Sequence, residues 1–473
     1  PAIGSTPLAG AAPEAHQTCR EQFTDVDLDA YNSLQNAADI PVVVSSLGYE
    51  EYNFFGLSYG TMLGQHLMRA HPEGLRSVVL DSVVPLDINF LLRLPQSADR
   101  AFSLLFESCA ADPFCSSAYP DLEATFQQAA AALDEEPVTV TVPADDPFEV
   151  TVDGDFLVEY LFESLYDAEL IPMLPGYIAN AAAGDLVWVE EHGAQILVEE
   201  TFATGFFHTV LCAEDADFEP EVGGDVRPLL AGMARETWAE FRAACAVWDV
   251  APIDADEPVT SPIPALLLAG EFDPVTPPAF AEHLAESLPN GAAVTIPGGS
   301  HGAVGAGSCP FQIVLDFLED PQQPPDTGCT QTMAVSFQRP LADYMLVPTE
   351  RFGAQILIPE AWQEVEDGVF EPPTAGDLRM AVFTLEGDNA NRTARAYIRG
   401  LEADGWEKFG VETVEGRDWH IFLIAEGDLL TVLSAASAGD GIYVLALTAP
   451  EPRLGDLADV IYFPAVEAFE IAQ

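Results

Sequence analysis

The chain of 473 residues carries 77 acidic against 17 basic side chains, a formal net charge of −60, with 49% hydrophobic and 10% aromatic content. That much apolar material excludes a disordered chain and is ample for the roughly two to four domains that the length allows. The charge excludes nucleic acid and anionic membranes as partners by repulsion, and with no run near about eighteen apolar residues no membrane-spanning helix is expected.

Lys408 is the only lysine. A surface this acidic repels itself at low ionic strength, which fits a saline setting where counterions screen it. The other reading is a solvated acidic surface that aids solubility.

The first informative element is the apolar run Asn53-Phe54-Phe55, read as a strand. It leads into Gly56-Leu57-Ser58-Tyr59-Gly60, and the residues from Thr61 to Arg69 have helical character. A G-x-S-x-G motif between a strand and a helix is the context of a nucleophile elbow. The sharp turn tolerates only small neighbours and lifts the Ser58 hydroxyl onto a helix N-terminus, where developing negative charge is favoured. The bland alternative is a Gly-rich turn with an ordinary serine. His66 and His71 flank the helix and are read as surface or capping groups. Ser77 to Leu80 forms the next strand, near the sheet edge. Asp81 follows it but precedes no histidine-bearing strand, so it ranks below the acid identified further on.

Between Pro85 and Pro264 the pattern is mainly helical. Asp99 to Cys109, Tyr119 to Leu133, Asp155 to Leu165, Met173 to Ala183 and Val226 to Cys245 read as helices, with Val138 to Val142 as a short β-like exception. This region is expected to be a cap inserted after the strand ending at Leu80. His208 lies within it, as a structural group or a substrate contact.

Pro264 to Gly270 reads as a fully buried strand, and Glu271-Phe272-Asp273-Pro274 follows at its C-terminal end. A helix from Pro278 to Ser287 separates it from the strand Ala292 to Ile296, which runs into Pro297-Gly298-Gly299-Ser300-His301-Gly302. Serine, carboxylate and histidine therefore occur in the order that an elbow-type triad requires. If the strands are parallel neighbours, all three loops share one sheet edge. The chemistry needs these residue types. A serine hydroxyl is a poor nucleophile until an imidazole accepts its proton, and a carboxylate must hold that imidazole in the right tautomer. The oxyanion of the intermediate needs two amide donors. That of Tyr59 is one, and the Gly-rich loop that usually supplies the other is not recognisable in this sequence.

After Cys329 the character changes. Ile356 to Ile358, Met380 to Thr384, His420 to Ile424, Leu430 to Leu433 and Ile442 to Leu447 read as strands, with helices at Asn389 to Leu401 and Ala465 to Ile471. This is expected to be a separate α+β domain with mostly antiparallel strands and no catalytic constellation. Ile358-Pro359-Glu360-Ala361-Trp362 weakly resembles PsbP-like small secreted domains, which implies nothing firm about function. The domain is read as a binding or anchoring accessory, or a structural appendage. Asn391-Arg392-Thr393 matches a glycosylation sequon and is read as coincidental.

Asp27-Leu28-Asp29-Ala30-Tyr31-Asn32, Leu47-Gly48-Tyr49, the elbow with Thr61, His71-Pro72-Glu73-Gly74, Ser77 to Pro85 and the stretch from Pro264 to Cys329 together resemble secreted bacterial tripeptidyl aminopeptidases. These are α/β-hydrolase-fold serine exopeptidases related to prolyl aminopeptidases. The resemblance spans residues 20–330, weakest in the middle. It implies Ser58 as nucleophile, Asp273 as triad acid, His301 as base and a secreted, extracytoplasmic location. It also implies that Glu214 and Asp215, just after Cys212, recognise the free amine of the substrate; solvated surface carboxylates are the alternative. The resemblance further implies earlier strands and an oxyanion loop, with Ile3-Gly4-Ser5-Thr6-Pro7-Leu8 similar to the tail of that region. An N-terminally truncated chain is therefore expected, one that lacks the loop needed for turnover.

Seven cysteines include no C-x-x-C pair, so metal binding is not expected, nor is any cofactor. Proximity and the resemblance pair Cys109 with Cys115, Cys212 with Cys245 and Cys309 with Cys329, which implies an oxidising compartment; seven free thiols are the alternative. Cys19 would then pair upstream.

The expected architecture is α/β: an α/β-hydrolase core of mostly parallel sheet, lacking its N-terminal strands, in residues 1–85 and 261–340. A mainly helical cap follows in 86–260 and an accessory α+β domain in 341–473. The expected function is a monomeric serine exopeptidase acting on peptide substrates through an acyl-enzyme. An ester hydrolase with the same triad and a non-catalytic binding protein on a hydrolase scaffold are the alternatives.

Overall fold

The computed structural model describes residues 13–473 apart from 144–146, 190–192, 194–202, 219–225, 338–345, 360–361, 373–377, 402, 404, 415, 428, 439–440, 451–453 and 472–473. The stretch Ile3 to Leu8 lies outside the described residues. Two compact units form, residues 1–337 and 338–473.

In the first unit, helices α1 (Pro13–Arg20) and α2 (Ser33–Ser46) precede strand β1 (Tyr52–Leu57), helix α3 (Tyr59–Ala70) and strand β2 (Leu75–Asp81). Strands β5 (Ala265–Gly270) and β6 (Gly291–Ile296) complete a four-stranded sheet in the order β1-β2-β5-β6. Every pairing in it is parallel. β5 is a continuous apolar run, and β2 is buried from Ser77 to Asp81 around Val78-Val79-Leu80, because both faces of these inner strands are covered, as parallel sheets require. One face packs against α2, α3 and α11 (Pro278–Ser287) through Leu67, Val78, Leu80, Leu267 and Leu284; the other packs against α12 (Ser308–Glu319) through Val79, Leu266, Ile313 and Phe317. β2 is second in this sheet, beside the edge strand β1, so Asp81 ends a strand paired on both sides. His66 departs from its expected surface or capping role: it faces inward from α3 at 1% exposure, while His71 does sit at the C-cap of that helix.

The cap lies between β2 and β5. It comprises α4 (Phe90–Ala111), α5 (Pro113–Ala118), α6 (Leu122–Glu135), α7 (Gly154–Ser164), α8 (Leu174–Ala182), α9 (Thr204–Glu214) and α10 (Pro228–Trp248). A hairpin of β3 (Val138–Val142) and β4 (Phe148–Val152) interrupts them. The second hairpin strand was not read from the sequence. Phe102, Phe106 and Phe126 pack ring to ring at the cap centre, and the same apolar cluster takes in Phe272 and Val275, which flank Asp273. The cap is thus packed against the loop that carries the acid.

Three disulfides form, Cys109–Cys115, Cys212–Cys245 and Cys309–Cys329, with Cα separations of 5.0, 5.2 and 5.9 Å. These fit an oxidising compartment. Cys19 is free. No helix among the described residues is long and apolar enough to cross a membrane.

The second unit is built on an antiparallel sheet, ordered β12 (Gly405–Val414), β13 (Arg417–Glu426), β14 (Leu429–Ala438), β15 (Gly441–Pro450), β11 (Arg379–Leu385), β10 (Val369–Glu371) and β9 (Gln363–Glu366). Helix α13 (Ala390–Ile398) covers one face through Ala390, Ala394 and Ile398, packed on Phe422, Leu433 and Val444. Its N-cap is Asn389, whose side chain accepts the Arg392 amide. The other face buries Trp419, Tyr462 and Phe469 with the hairpin of β7 (Leu346–Arg351) and β8 (Ala354–Pro359). The expected closing helix is shorter than its sequence pattern: it spans Phe463–Glu467, and Glu470–Ile471 pairs with β8 instead.

Candidate active site

Ser58 occupies the turn between β1 and α3 with φ 53° and ψ −116°, a conformation that an L-residue adopts only under constraint. Gly56 is required there, because a Cβ on it would run into the Gly60 carbonyl. The Ser58 amide donates to the Asp81 carbonyl at 2.9 Å. Its own carbonyl accepts the Thr61 amide at 2.8 Å and the Thr61 hydroxyl at 2.6 Å. Tyr59 is the first residue of α3, where backbone amides lack intrahelical acceptors.

Asp273 and His301 follow β5 and β6 at the same edge. The Asp273 carboxylate is fully buried. Its Oδ1 accepts the amides of Val275 and Thr276 at 2.9 and 2.8 Å, and its Oδ2 accepts the Thr276 hydroxyl at 2.6 Å and His301 Nδ1–H at 2.9 Å. This fixes the imidazole as the tautomer that leaves Nε2 unprotonated and basic. Burial opposes ionisation of Asp273, but the His301 charge and the hydrogen bonds from His301 and Thr276 prevail and hold its carboxyl below the usual range. For His301 burial acts downward, yet the charge and hydrogen bond of Asp273, with a further contribution from Asp81, hold the ring above 6.5. Tyr166 from the cap packs edge-on at 5.1 Å. Ser58 and His301 share the edge without a direct hydrogen bond, a spacing that apo hydrolases commonly show.

Arg100, on α4, donates to the carbonyls of Glu271 and Asp273 at 2.7 and 2.8 Å, so the cap braces the acid loop. Asp81 does not hydrogen-bond to the His301 ring. Its carboxylate accepts the amides of Ala303 and Val304 at 2.9 and 3.0 Å.

Glu214 ends α9. Its carboxylate accepts both the Ser33 amide and, at 2.7 Å, the Ser33 hydroxyl. Since that hydroxyl proton goes to Glu214, the Tyr59 phenol donates to Ser33 Oγ at 3.0 Å and accepts from Asn36 Nδ2 at 2.9 Å. A one-way chain from Asn36 through Tyr59 and Ser33 to Glu214 thus ties the residue after the nucleophile to the cap. Burial pushes the Tyr59 phenol up to about 12 and raises Glu214, the Ser33 bonds offsetting part of the latter. Asp215, beside it, is 5% exposed, and its carboxyl lies well above the usual range through burial first and then repulsion from Glu214, Asp217 and Asp256. His208 faces inward, its ring 4.7 Å from that of His16 and stacked on Trp248 at 5.7 Å, so it packs within the fold.

A parallel sheet, a strained serine at a strand-to-helix turn, a bonded acid and base on the following strands and an inserted cap define an α/β hydrolase. Residues 231–329, which carry Asp273 and His301, match a family model described as "TAP-like protein". No curated protein matches the chain. Among solved structures, it is similar to an α/β-hydrolase enzyme from a Medee basin deep-sea metagenome library, at 13% identity over 65% of this chain and 75% of that one, TM-score 0.27. A thermophilic esterase from Thermogutta terrifontis is similar at 14% identity over 62% and 74%, TM-score 0.28. Cyanobacterial PsbP from Synechocystis sp. PCC 6803 is similar at 13% identity over 27% of this chain and 92% of that one, TM-score 0.23.

Sequence reading missed Thr276, Arg100, Ser33 and Asn36. Thr276, three residues after Asp273, carries a local signal, that of a carboxylate capping its own turn. The other three act across long sequence separations and leave none.

Proposed function

We propose that the protein is a secreted serine exopeptidase that removes short peptides or single residues from peptide N-termini. The observation that carries this reading is the Asp273–His301 hydrogen bond at the sheet edge that also presents Ser58 in a strained turn. Ser58 Oγ attacks the scissile carbonyl carbon as its proton passes to His301 Nε2, and the oxyanion takes the Tyr59 amide. Collapse breaks the C–N bond, and His301 returns the proton to the leaving amine. Water then repeats the sequence on the acyl-enzyme and frees Ser58.

Glu214 and Asp215 serve as the anionic site for the substrate ammonium. Both are buried and mutually repelling, so an arriving cation relieves that repulsion and is held more tightly as pH rises. With Glu214 already engaged by Ser33, Asp215 is the carboxylate with capacity to spare.

The test assays the full-length protein, with the oxyanion loop that the resemblance implies, on tripeptide anilides with free and acetylated N-termini and on short-chain nitrophenyl esters. Cleavage of the free-amine substrates, lost in Ser58→Ala, is expected. Activity confined to blocked peptides or esters would overturn the aminopeptidase reading.

A further inference from the structure

Asp81 ends β2, the strand between the one that delivers the nucleophile and the one leading to the acid, and Ser82 follows it. Three groups of this dipeptide reach in two directions. The Asp81 carbonyl receives the Ser58 amide at 2.9 Å. The Asp81 carboxylate receives the amides of Ala303 and Val304, one on each oxygen, and Ser82 Oγ receives the Gly302 amide at 2.8 Å. The three residues directly after His301 therefore hang on two consecutive side chains, whose backbone also holds the serine turn.

The local conformations are those such an arrangement needs. Ser82 has φ 57° and yet is not a glycine, a sterically costly choice, and its amide is tied to the Leu268 carbonyl at 3.0 Å. A glycine would relieve the backbone but would lack the hydroxyl that caps Gly302. Gly302 itself has φ 80°, and a Cβ on it would lie 3.7 Å from the Leu57 side chain, so the residues next to base and nucleophile are in contact range. Asp81 has no exposed surface, and a buried carboxylate is retained at such a place only if its oxygens are used.

We infer that Asp81 and Ser82 are positioning residues that fix the separation between Ser58 and His301 by hydrogen-bonding backbone amides and not the imidazole ring. This rests on the serine-hydrolase reading and adds to it a second buried acid whose work differs from that of Asp273. Burial raises the Asp81 carboxyl to about 6, with the Val304 and Ala303 amides and the His301 charge pulling against that rise. The His301 ring is faced by Asp273 from the loop after β5, by Asp81 from the end of β2 and by Tyr166 from the cap. Ionised Asp81 favours the imidazolium, so its removal moves the protonation of His301 to lower pH.

The experiment measures the rate at which a fluorophosphonate modifies Ser58 across pH, in the whole protein and in Asp81→Asn and Ser82→Gly. Asp81→Asn is expected to slow labelling about tenfold or more at neutral pH and to move the acid limb downward. Ser82→Gly, which relaxes its backbone and so protects folding, is expected to slow labelling severalfold without moving the limb. Folded variants that label within about twofold of the unsubstituted protein above the limb would overturn the inference, whether or not the limb moves, since loss of the Asp81 charge alone moves it; should Asp81→Asn not fold, Ser82→Gly decides alone. Failure of the unsubstituted protein to label would instead refute the serine-hydrolase reading, and the inference with it.

Discussion

Strain at Ser58 and full satisfaction at Asp273 are complementary features of one site. The serine turn stores unfavourable backbone geometry that neighbouring hydrogen bonds sustain, whereas both oxygens of the acid are satisfied, Oδ1 by the Val275 and Thr276 amides and Oδ2 by the Thr276 hydroxyl and the base. The pH dependence follows from the sign of the His301 shift. Its folded value lies above 6.5, and only the neutral ring accepts the serine proton, so kcat/KM should rise with pH along a limb centred above 6.5. Steady-state rates from pH 5 to 9 check this, and a limb well below 6.5 would contradict it. Tyr59→Phe removes the phenol that joins Asn36 to Ser33 while leaving the Tyr59 backbone donor intact. The expected result is a kcat lower by about tenfold with KM nearly unchanged, since the phenol positions the donor and does not bind substrate.

At the scale of elements, α9 and α10 are joined by Cys212–Cys245, which closes a separation of 33 residues and lies two residues before Glu214. Chain-entropy arguments assign such a crosslink about 3–4 kcal/mol. The double substitution Cys212→Ala, Cys245→Ala should lower the denaturant-measured stability of the first unit by about that amount, with free-amine substrates losing more kcat/KM than acylating probes. Equal losses for both would separate the disulfide from the amine site.

The elements most legible in the sequence were those with local signatures. Gly56 and Gly60 around Ser58, the apolar runs before Asp273 and His301, and Val138 to Val142 all sit in short windows that encode their own conformation. Phe148–Val152 was obscured because its strand character depends on pairing with β3 across the polar sequence Ala144-Asp145-Asp146. His66 looked like a surface group because its inward orientation on α3 depends on which helix face meets the sheet. The Asp81 contacts to residues 303 and 304 could not be read at all, since they join segments brought together only when the sheet assembles.

For the whole molecule, the net charge of −60 sets the response to salt. Raising sodium chloride from about 0.1 M to about 1 M shortens the screening length from about 10 Å to about 3 Å and weakens repulsion among carboxylates. The melting temperature should climb by several degrees over that range, measured by circular dichroism. A flat response would assign the acidic surface to solubility alone.

Ser58 is the residue that must become acylated if the protein is a serine hydrolase. Exposure of the intact protein to a fluorophosphonate, followed by intact-mass measurement and peptide mapping, should give one adduct at Ser58, lost in Ser58→Ala and strongly slowed in His301→Ala. No adduct, an adduct on another serine, or labelling indifferent to His301 would contradict it.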